Sequence, residues 1–290
     1  MAARRRGKGG DTLVAEAIRE AMRDLTPSER RAAQTLLASY PLLGLETVAR
    51  FAGQAGVSAP TILRFVARLG FPSYADFQRR LKGEVEARLL SPLEKAGAGG
   101  ARKHHPRAAF AEAVTTNVAE TFRRLPAGDL EAVAELLADP RRPLHLLGGR
   151  FTDGLARYMT AHLRIVRPNV GALDGQQANW RDQLLDMGPR DVLFLIDIRR
   201  YQDDLVALAA EAAKRKVTVV LLTDQWLSPV ARLARHVLPA RVAVPSAWDS
   251  NVALLALIEA LIADVTARRG PEARSRMAAI EGLRGGPSRS

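Results

Sequence analysis

The residues whose types and spacing most clearly indicate a function lie between Thr47 and Gly70, in the run TVARFAGQAGVSAPTILRFVARLG. Polar and basic side chains in this run could hydrogen-bond the edges of DNA bases, and arginine has the shape that matches the O6 and N7 acceptors of guanine. The run therefore predicts a nucleic-acid interface, with no catalytic residue. The predicted DNA-binding residues are Ser58, Ala59, Thr61, Arg64, Arg68 and Arg50.

The spacing of small and apolar residues predicts that a helix-turn-helix carries this interface. Ala52 would let two helices approach, Gly56 would make the turn, and Ile62 would pack from the second helix. Ser58 is predicted to cap the second helix by accepting a backbone N–H, with Pro60 in its first turn. The alternative is that the same pattern forms a helical hairpin within a larger fold.

The charge balance favours a polyanionic partner. The 290 residues include 43 Lys and Arg against 31 Asp and Glu, a formal net charge of +12. Residues 1–92 hold 15 basic and 9 acidic residues, so this third of the chain carries half of the excess. A basic amino-terminal segment is typical of proteins that bind nucleic acid. Residues 1–10 predict a disordered basic arm that either contacts DNA or is a solvated terminus.

Cysteine content and hydropathy exclude several classes of protein. The chain has no cysteine, which excludes disulfides, cysteine-based zinc sites and cysteine nucleophiles. No apolar run reaches the roughly 18 residues that span a bilayer, and no signal peptide is recognisable. Adjacent His104 and His105 have no further metal ligand nearby in the sequence. We therefore expect a cytoplasmic protein without a membrane partner, a metal or a cofactor.

Changes in composition predict two domains. Residues 11–90 favour an all-α domain, residues 91–107 a linker rich in Gly and Pro, and residues 270–290 a flexible tail. Residues 108–269 alternate short apolar strands with helices, which predicts an α/β fold with a parallel sheet covered on both faces. Such sheets bind ligands at the carboxyl ends of their strands. Strands are predicted at 144–147, 169–172, 192–196, 217–222 and 237–240.

Several runs of residues together carry a family resemblance. In the amino-terminal half they are G-V-S-x-x-T-I-x-R-F at 56–65 and L-G-F-x-x-Y-x-x-F at 69–77. In the α/β half they are DVLFLI at 191–196, VVLLT at 219–223 and SPVARLA at 228–234. With these motifs the chain resembles the RpiR (MurR) family of bacterial transcriptional regulators. The resemblance implies a homodimer or homotetramer that binds double-stranded DNA, and a three-layer SIS (sugar isomerase) domain that binds a phosphorylated sugar and alters DNA binding.

The resemblance also implies two phosphate-binding loops, and both depart from the family pattern. The first loop is usually G-x-G-x-S and corresponds to GGRFT at residues 148–152. The second is usually S-x-S-G-x-T and corresponds to DIRRYQ at residues 197–202, which lacks each of the expected residues. The predicted ligand-binding residues are Gly148, Gly149, Arg150, Thr152, Asp197, Arg199, Arg200, Thr223 and Asp224.

Three interpretations of Arg199 and Arg200 stay open at this point. The two guanidinium groups could clamp a different anion, such as a carboxylate or phosphate on a non-sugar metabolite. They could instead pair with Asp197 and Asp224 as a structural network, in a domain that has become a dimerisation module. In the third interpretation they bind the family ligand in an altered geometry.

The leading prediction is a homo-oligomeric transcription factor whose helix-turn-helix binds specific DNA sequences under the control of an anionic metabolite. Apolar residues on more than one face of the helix near 249–268 predict that it is buried against another subunit. One alternative is a sugar-phosphate isomerase-type SIS enzyme, which would need a positioned acid and base that the sequence does not evidently supply. The other is a non-specific architectural DNA binder.

Overall fold

A computed structural model of the chain describes residues 13–89, 93–95, 107–125, 128–175, 177–283 and 285. The chain divides into two compact units, Met1–Leu90 and Ser91–Ser290. The predicted basic arm and most of the predicted linker, including His104 and His105, lie outside the described residues. Within the described part, none of the helices combines the length and the apolar character needed to cross a membrane.

The described secondary-structure elements of the first unit are all helices. Its second helix begins with a capping box, in which the Glu29 N–H donates to the Thr26 hydroxyl (3.4 Å) and the Thr26 N–H donates to the Glu29 carboxylate (2.9 Å). The helices are α1 Val14–Ala21, α2 Pro27–Ala38, α3 Leu42–Leu45, α4 Val48–Ala55, α5 Ala59–Arg68 and α6 Tyr74–Leu89.

Helices α4 and α5 form the predicted helix-turn-helix. The rings of Phe51 and Phe65 meet edge to face with their centroids 6.4 Å apart, and both are fully buried together with Ile62. Gly56 ends α4 with a φ of 62°, in the left-handed region that glycine adopts without steric cost. Ala52 is 6% exposed at the contact between the helices. The aromatic contact and the turn glycine fix the angle at which α5 is presented.

The second unit contains a five-stranded, all-parallel sheet with the strand order β2-β1-β3-β4-β5. Each predicted strand is confirmed to within two residues at either end. The elements, in chain order, are α7 Arg107–Arg124, α8 Asp129–Ala138, β1 Leu144–Gly148, α9 Asp153–Val166, β2 Val170–Ala172, α10 Gln177–Gln183, β3 Val192–Asp197, α11 Asp203–Lys214, β4 Thr218–Asp224, β5 His236–Ala240 and α12 Val252–Leu283.

Two apolar layers cover the two faces of this sheet, as predicted. Alternate residues of a strand point to opposite faces, so Phe194 joins the layer formed by α8, α9 and α12, while Leu195 joins the layer formed with α11. Strand β3 is buried along its whole length, as expected for the central strand of a sheet covered on both sides. The carboxyl ends of β1, β3 and β4 therefore lie together at one edge of a rigid core.

The predicted flexible tail from residue 270 is wrong over most of its length. Helix α12 continues to Leu283 and is kinked at Gly270, where φ is 46°. Beyond the kink, Ala273 is buried, and Arg276 Nε donates to the backbone oxygen of Arg164 at 3.0 Å. Gly270 and Pro271 break the helix, but apolar residues after them still pack on the sheet domain.

Candidate functional site

The exposed face of α5 is the candidate DNA interface. Pro60, Leu63, Arg64 and Ala67 lie on this face at helical spacing, and Leu63 is 48% exposed. An arginine can bond guanine, while apolar side chains can contact the methyl group of thymine. The sequence prediction included Arg64 but missed Leu63 and Ala67, because it considered mainly polar residues.

Three residues of the predicted interface, Ser58, Ala59 and Thr61, differ from the prediction. Thr61 is only 5% exposed, so the expectation that it faces solvent is wrong. Its hydroxyl is hydrogen-bonded to the Ser58 hydroxyl (2.9 Å) and accepts from Arg64 Nη2 (3.2 Å). Ser58 precedes α5 but makes no side-chain cap, since its hydroxyl is engaged with Thr61. Ala59 is partly buried against the core. The buried Thr61 hydroxyl thus orients the side chains of Ser58 and Arg64 by bonding both of them.

The other two predicted basic residues, Arg68 and Arg50, differ in their hydrogen-bond partners and in their exposure. Arg68 Nε donates to Glu29 Oε1 (3.0 Å) and its Nη1 to the backbone oxygen of Asp24 (3.1 Å), so the guanidinium joins the end of α5 to the start of α2. Arg50 is 69% exposed and pairs with Glu46 at 3.1 Å. An exposed pair of this kind adds little stability. Arg68 therefore has a structural partner, whereas Arg50 presents its charge to solvent.

The second candidate site is the carboxyl edge of the sheet, defined here as residues 148–152, 197–202 and 223–228. The strand order reverses between β1 and β3, which is where open parallel sheets bind ligands. Hydroxyl groups fasten these loops to neighbouring strands, as the Thr152 hydroxyl donates to the Ile196 oxygen (2.5 Å) and the Thr223 hydroxyl to the Asp197 oxygen (2.6 Å). All nine predicted ligand-binding residues lie at this edge.

The first loop is closed by the chain's own atoms. A Cβ on Gly148 would lie 2.4 Å from the backbone nitrogen of Asp153, so the turn itself requires glycine there. The N–H of Arg150 donates to Gln202 Oε1 (2.5 Å), and a Cβ on Gly149 would lie 2.8 Å from that same oxygen. The N–H of Arg150 therefore already has an acceptor within the chain, the side chain of Gln202.

Arg199 forms a buried ion pair with Asp249. Its Nε and Nη2 donate to the two carboxylate oxygens of Asp249, both at 2.6 Å, and its guanidinium lies 3.8 Å from the ring centroid of Trp226. Lys95 Nζ also contacts Asp249, at 2.7 Å. Burial acts to raise the pKa of Asp249, but the bonds from Arg199 and Lys95 outweigh it and hold that pKa below its usual value.

Of the three interpretations, the structural network has a different partner from the one expected, because the Arg199 side chain pairs with Asp249 and only its backbone N–H donates to Asp224. Sequence reasoning missed Asp249 because it is 50 residues from Arg199 and follows β5, outside both loops. No local spacing indicates this pair.

Asp224 is fully buried, and its carboxylate accepts three hydrogen bonds, two from the second loop and one from the segment that follows β4. The N–H of Arg199 (2.7 Å), the Tyr201 hydroxyl (2.7 Å) and the N–H of Trp226 (2.9 Å) all donate to its carboxylate. Burial raises the pKa of Asp224, and these hydrogen bonds act in the opposite direction. The second loop is thus folded onto the end of β4.

Asp197 is a second buried carboxyl group, at the end of β3. The Ser228 hydroxyl donates to its Oδ2 (2.5 Å) and accepts from the N–H of Val230 (3.2 Å), so it also caps the short 3-10 helix Pro229–Arg232. Burial, with a smaller contribution from the charge of Asp224, raises the pKa of Asp197 to about 7, while the Ser228 bond acts to lower it. The carboxyl edge therefore contains two buried acids.

The exposed cations of this edge are Arg150 and Arg200. Arg200 is exposed and makes no hydrogen bond or ion pair with any described residue. Arg150 lies with its guanidinium 5.3 Å from the Phe151 ring centroid. Phe151 and Trp248, which are 51% and 58% exposed, contact each other edge to face at 5.8 Å. Aromatic and cationic groups thus face solvent above the buried network.

Two family models match the chain. A helix-turn-helix domain model of the rpiR family matches residues 12–88, and a SIS domain model matches residues 136–263. A comparison with curated proteins finds no match.

Two solved structures share this architecture with the chain. The sugar isomerase domain of the RpiR transcription factor from Sphaerobacter thermophilus is 25% identical, over 61% of this chain and 98% of that chain, with a TM-score of 0.56. The Vibrio vulnificus NanR protein complexed with ManNAc-6P is 17% identical, over 93% of this chain and 97% of that chain, with a TM-score of 0.52. At that identity the second match shows the fold alone.

The different contributions of Arg199 and Arg200 to stability can be tested by substituting each residue separately. We expect Arg199→Ala to lower the free energy of unfolding by roughly 3–5 kcal/mol, because it leaves a buried carboxylate without its main partner. We expect Arg200→Ala to change it by less than about 0.5 kcal/mol, because the side chain is exposed. Urea denaturation measures both, and equally small effects would show that the Asp249 pair is not structural.

The buried Asp197 predicts a pH dependence of stability. Its pKa is near 7 in the folded state and about 3.9 in an unfolded chain, so the folded state retains the proton over this interval. Stability is then lost as the pH rises from about 4 to about 7, by about 1.4 kcal/mol for each unit of pKa difference. Asp197→Asn keeps an acceptor for Ser228 without the charge, and should flatten this part of the profile.

Urea denaturation of the wild type and Asp197→Asn across this pH range measures the effect. The exposed Asp203 provides the control, since Asp203→Asn should leave the wild-type profile unchanged. Parallel profiles for the wild type and Asp197→Asn would rule out Asp197 as the titrating group.

Proposed function

We propose a function from the premise that this chain is an RpiR-type regulator, in which an rpiR-family helix-turn-helix domain is followed by a SIS domain. The proposal is that α5 binds the major groove and recognises specific base pairs, so that the protein controls transcription at a limited number of operators. The observation that carries the proposal is the exposed face of α5, where Arg64 and Leu63 are held on a helix that the aromatic core of the unit keeps rigid.

The interaction between Thr61 and Arg64 supports specific over non-specific binding. A freely moving arginine can contact phosphates anywhere on DNA, whereas the hydrogen bond from Arg64 Nη2 to Thr61 restricts the guanidinium before DNA arrives. Bidentate contacts with guanine depend on such orientation. Arg50, one helix earlier, is suited to a phosphate contact that positions the domain.

We further propose that the protein acts as a homo-oligomer, with paired helix-turn-helix domains on two half-sites of the operator. In support, α12 buries one broad face within the chain yet leaves Val252 44% exposed next to partly buried apolar residues. A second copy covering this helix would complete its burial. A ligand could then regulate DNA binding by favouring one arrangement of the paired domains.

The charges of the carboxyl edge limit which residues could bind a regulatory anion. Arg199 is neutralised by Asp249, so the cations that we assign to an anionic metabolite at this edge are Arg150 and Arg200. The NanR protein of Vibrio vulnificus is complexed with ManNAc-6P. A phosphosugar in the first loop of this chain would have to displace Gln202 from the N–H of Arg150. We therefore favour an anion that docks above the buried network.

An isomerase activity receives no support from a specific contact. Glu259 on α12 accepts a hydrogen bond from the Tyr158 hydroxyl at 3.0 Å, so its carboxylate already has a partner within the chain. We propose a regulator without enzymatic turnover.

Substitution of Arg64 tests the proposed DNA recognition. We expect Arg64→Ala to weaken binding to the operator by about 1–3 kcal/mol and to relax the preference at one base pair, because a base contact is lost. The matched control is Arg31→Ala, which removes the same charge from the exposed side of α2. It should change affinity for all sequences equally and only slightly.

Binding selection from a randomised duplex library, followed by sequencing, measures both properties for each variant. An unchanged base preference in Arg64→Ala would remove Arg64 from the recognition surface.

A further inference from the structure

A cavity at the opposite edge of the sheet is lined by three arginines. It has a volume of about 520 Å³, is open to solvent, and lies between the end of α9, the start of β2 and the last turns of α12. Arg164, Arg167, Arg276 and Asn169 supply its polar lining, and none of the described residues around it is acidic. We call it the amino-edge cavity. Its size is within the range of small-molecule sites.

Two of these arginines, Arg164 and Arg276, are each held by a hydrogen bond from the inner guanidinium nitrogen, Nε. Arg164 Nε donates to the backbone oxygen of Val170 at 2.9 Å, and Arg276 Nε donates to that of Arg164 at 3.0 Å. The terminal Nη atoms of both side chains have no acceptor among the described residues. Each guanidinium is therefore oriented by its inner nitrogen and keeps two outer nitrogens to donate, which is the geometry that a bidentate oxyanion contact requires.

The third arginine adds a buried positive charge. Arg167 is fully buried and donates from Nε, Nη1 and Nη2 to the backbone oxygens of Pro168, Leu137 and Arg142. Burial and repulsion from Arg269 lower its pKa to about 10. Neutral carbonyl groups satisfy its hydrogen bonds but do not cancel its charge.

Arg269 adds a further positive charge near Arg167. Arg269 Nε is buried and lacks an acceptor among the described residues. The charge of Asp139 acts to raise the pKa of Arg167, but this carboxylate is itself paired with Arg141 at 2.9 Å. The local excess of positive charge is thus not balanced by the described part of the chain.

We propose that the amino-edge cavity binds a small phosphate-bearing polyanion, held by the outer nitrogens of Arg164 and Arg276 above the buried charge of Arg167. A phosphate matches two oriented guanidinium forks, and more than one negative charge matches three arginines better than a monocarboxylate does. The proposal does not rest on DNA binding, and its site is at the edge of the sheet opposite Arg150 and Arg200.

Titration of the full chain with pyrophosphate, at constant ionic strength set by KCl, tests the proposal by calorimetry. We expect saturable binding that Arg276→Gln weakens about tenfold, since it removes one charged fork. Arg164→Gln, on a different helix, should give the same loss. Arg167 is left intact, because it satisfies backbone oxygens that the fold requires. Thermal unfolding without ligand shows that each variant is folded.

A matched control locates the anion. Arg274→Gln removes an exposed arginine from the same segment of α12, and it should not change the affinity. The proposal is overturned by an absence of saturable binding, by equal weakening in Arg274→Gln, or by an affinity that both Arg164→Gln and Arg276→Gln leave unchanged. Citrate binding as tight as that of pyrophosphate would overturn the assignment to phosphate.

Discussion

The constraint on which the carboxyl edge depends is the burial of two carboxyl groups, Asp197 and Asp224, at the ends of adjacent central strands. A buried polar group must be hydrogen-bonded or it costs free energy. The chain supplies the donors itself, from Ser228 and from the second loop. The second loop thus directs the N–H of Arg199 and the hydroxyl of Tyr201 towards Asp224, at the end of β4.

The position of Arg199 follows from the same constraint. Its N–H is fixed by Asp224, and its side chain then extends to Asp249 and stacks on Trp226. Arg200 is consequently left at the surface. Adjacent arginines with the same charge thus have different roles, one within a buried network and one available to solvent. The carboxyl edge is stabilised by internal contacts, whereas the exposed face of α5 is left open for a partner.

Local sequence patterns were sufficient for the fold. Continuous apolar strands predicted the parallel sheet, and Gly56, Ala52 and Ile62 predicted the helix-turn-helix, because these features depend on backbone geometry and on the periodicity of burial. Local patterns also predicted a ligand site at the carboxyl ends of the strands, whereas the two loops were assigned from the family resemblance. Local reasoning failed where the determining contact is distant in sequence, as for Arg68 with Glu29 and Arg199 with Asp249. It also failed at α12, where a Gly-Pro pair interrupts the helix without ending it.

The central claim is that α5 gives this chain sequence-specific binding to DNA. The most direct measurement is selection of sheared genomic DNA from the source organism by the purified full-length protein at about 0.15 M salt, followed by sequencing of the bound fragments. The account predicts enrichment of a small number of sites with two-fold symmetry. Uniform recovery of fragments, with affinity that falls steeply with salt for every sequence, would contradict it and indicate a non-specific DNA binder.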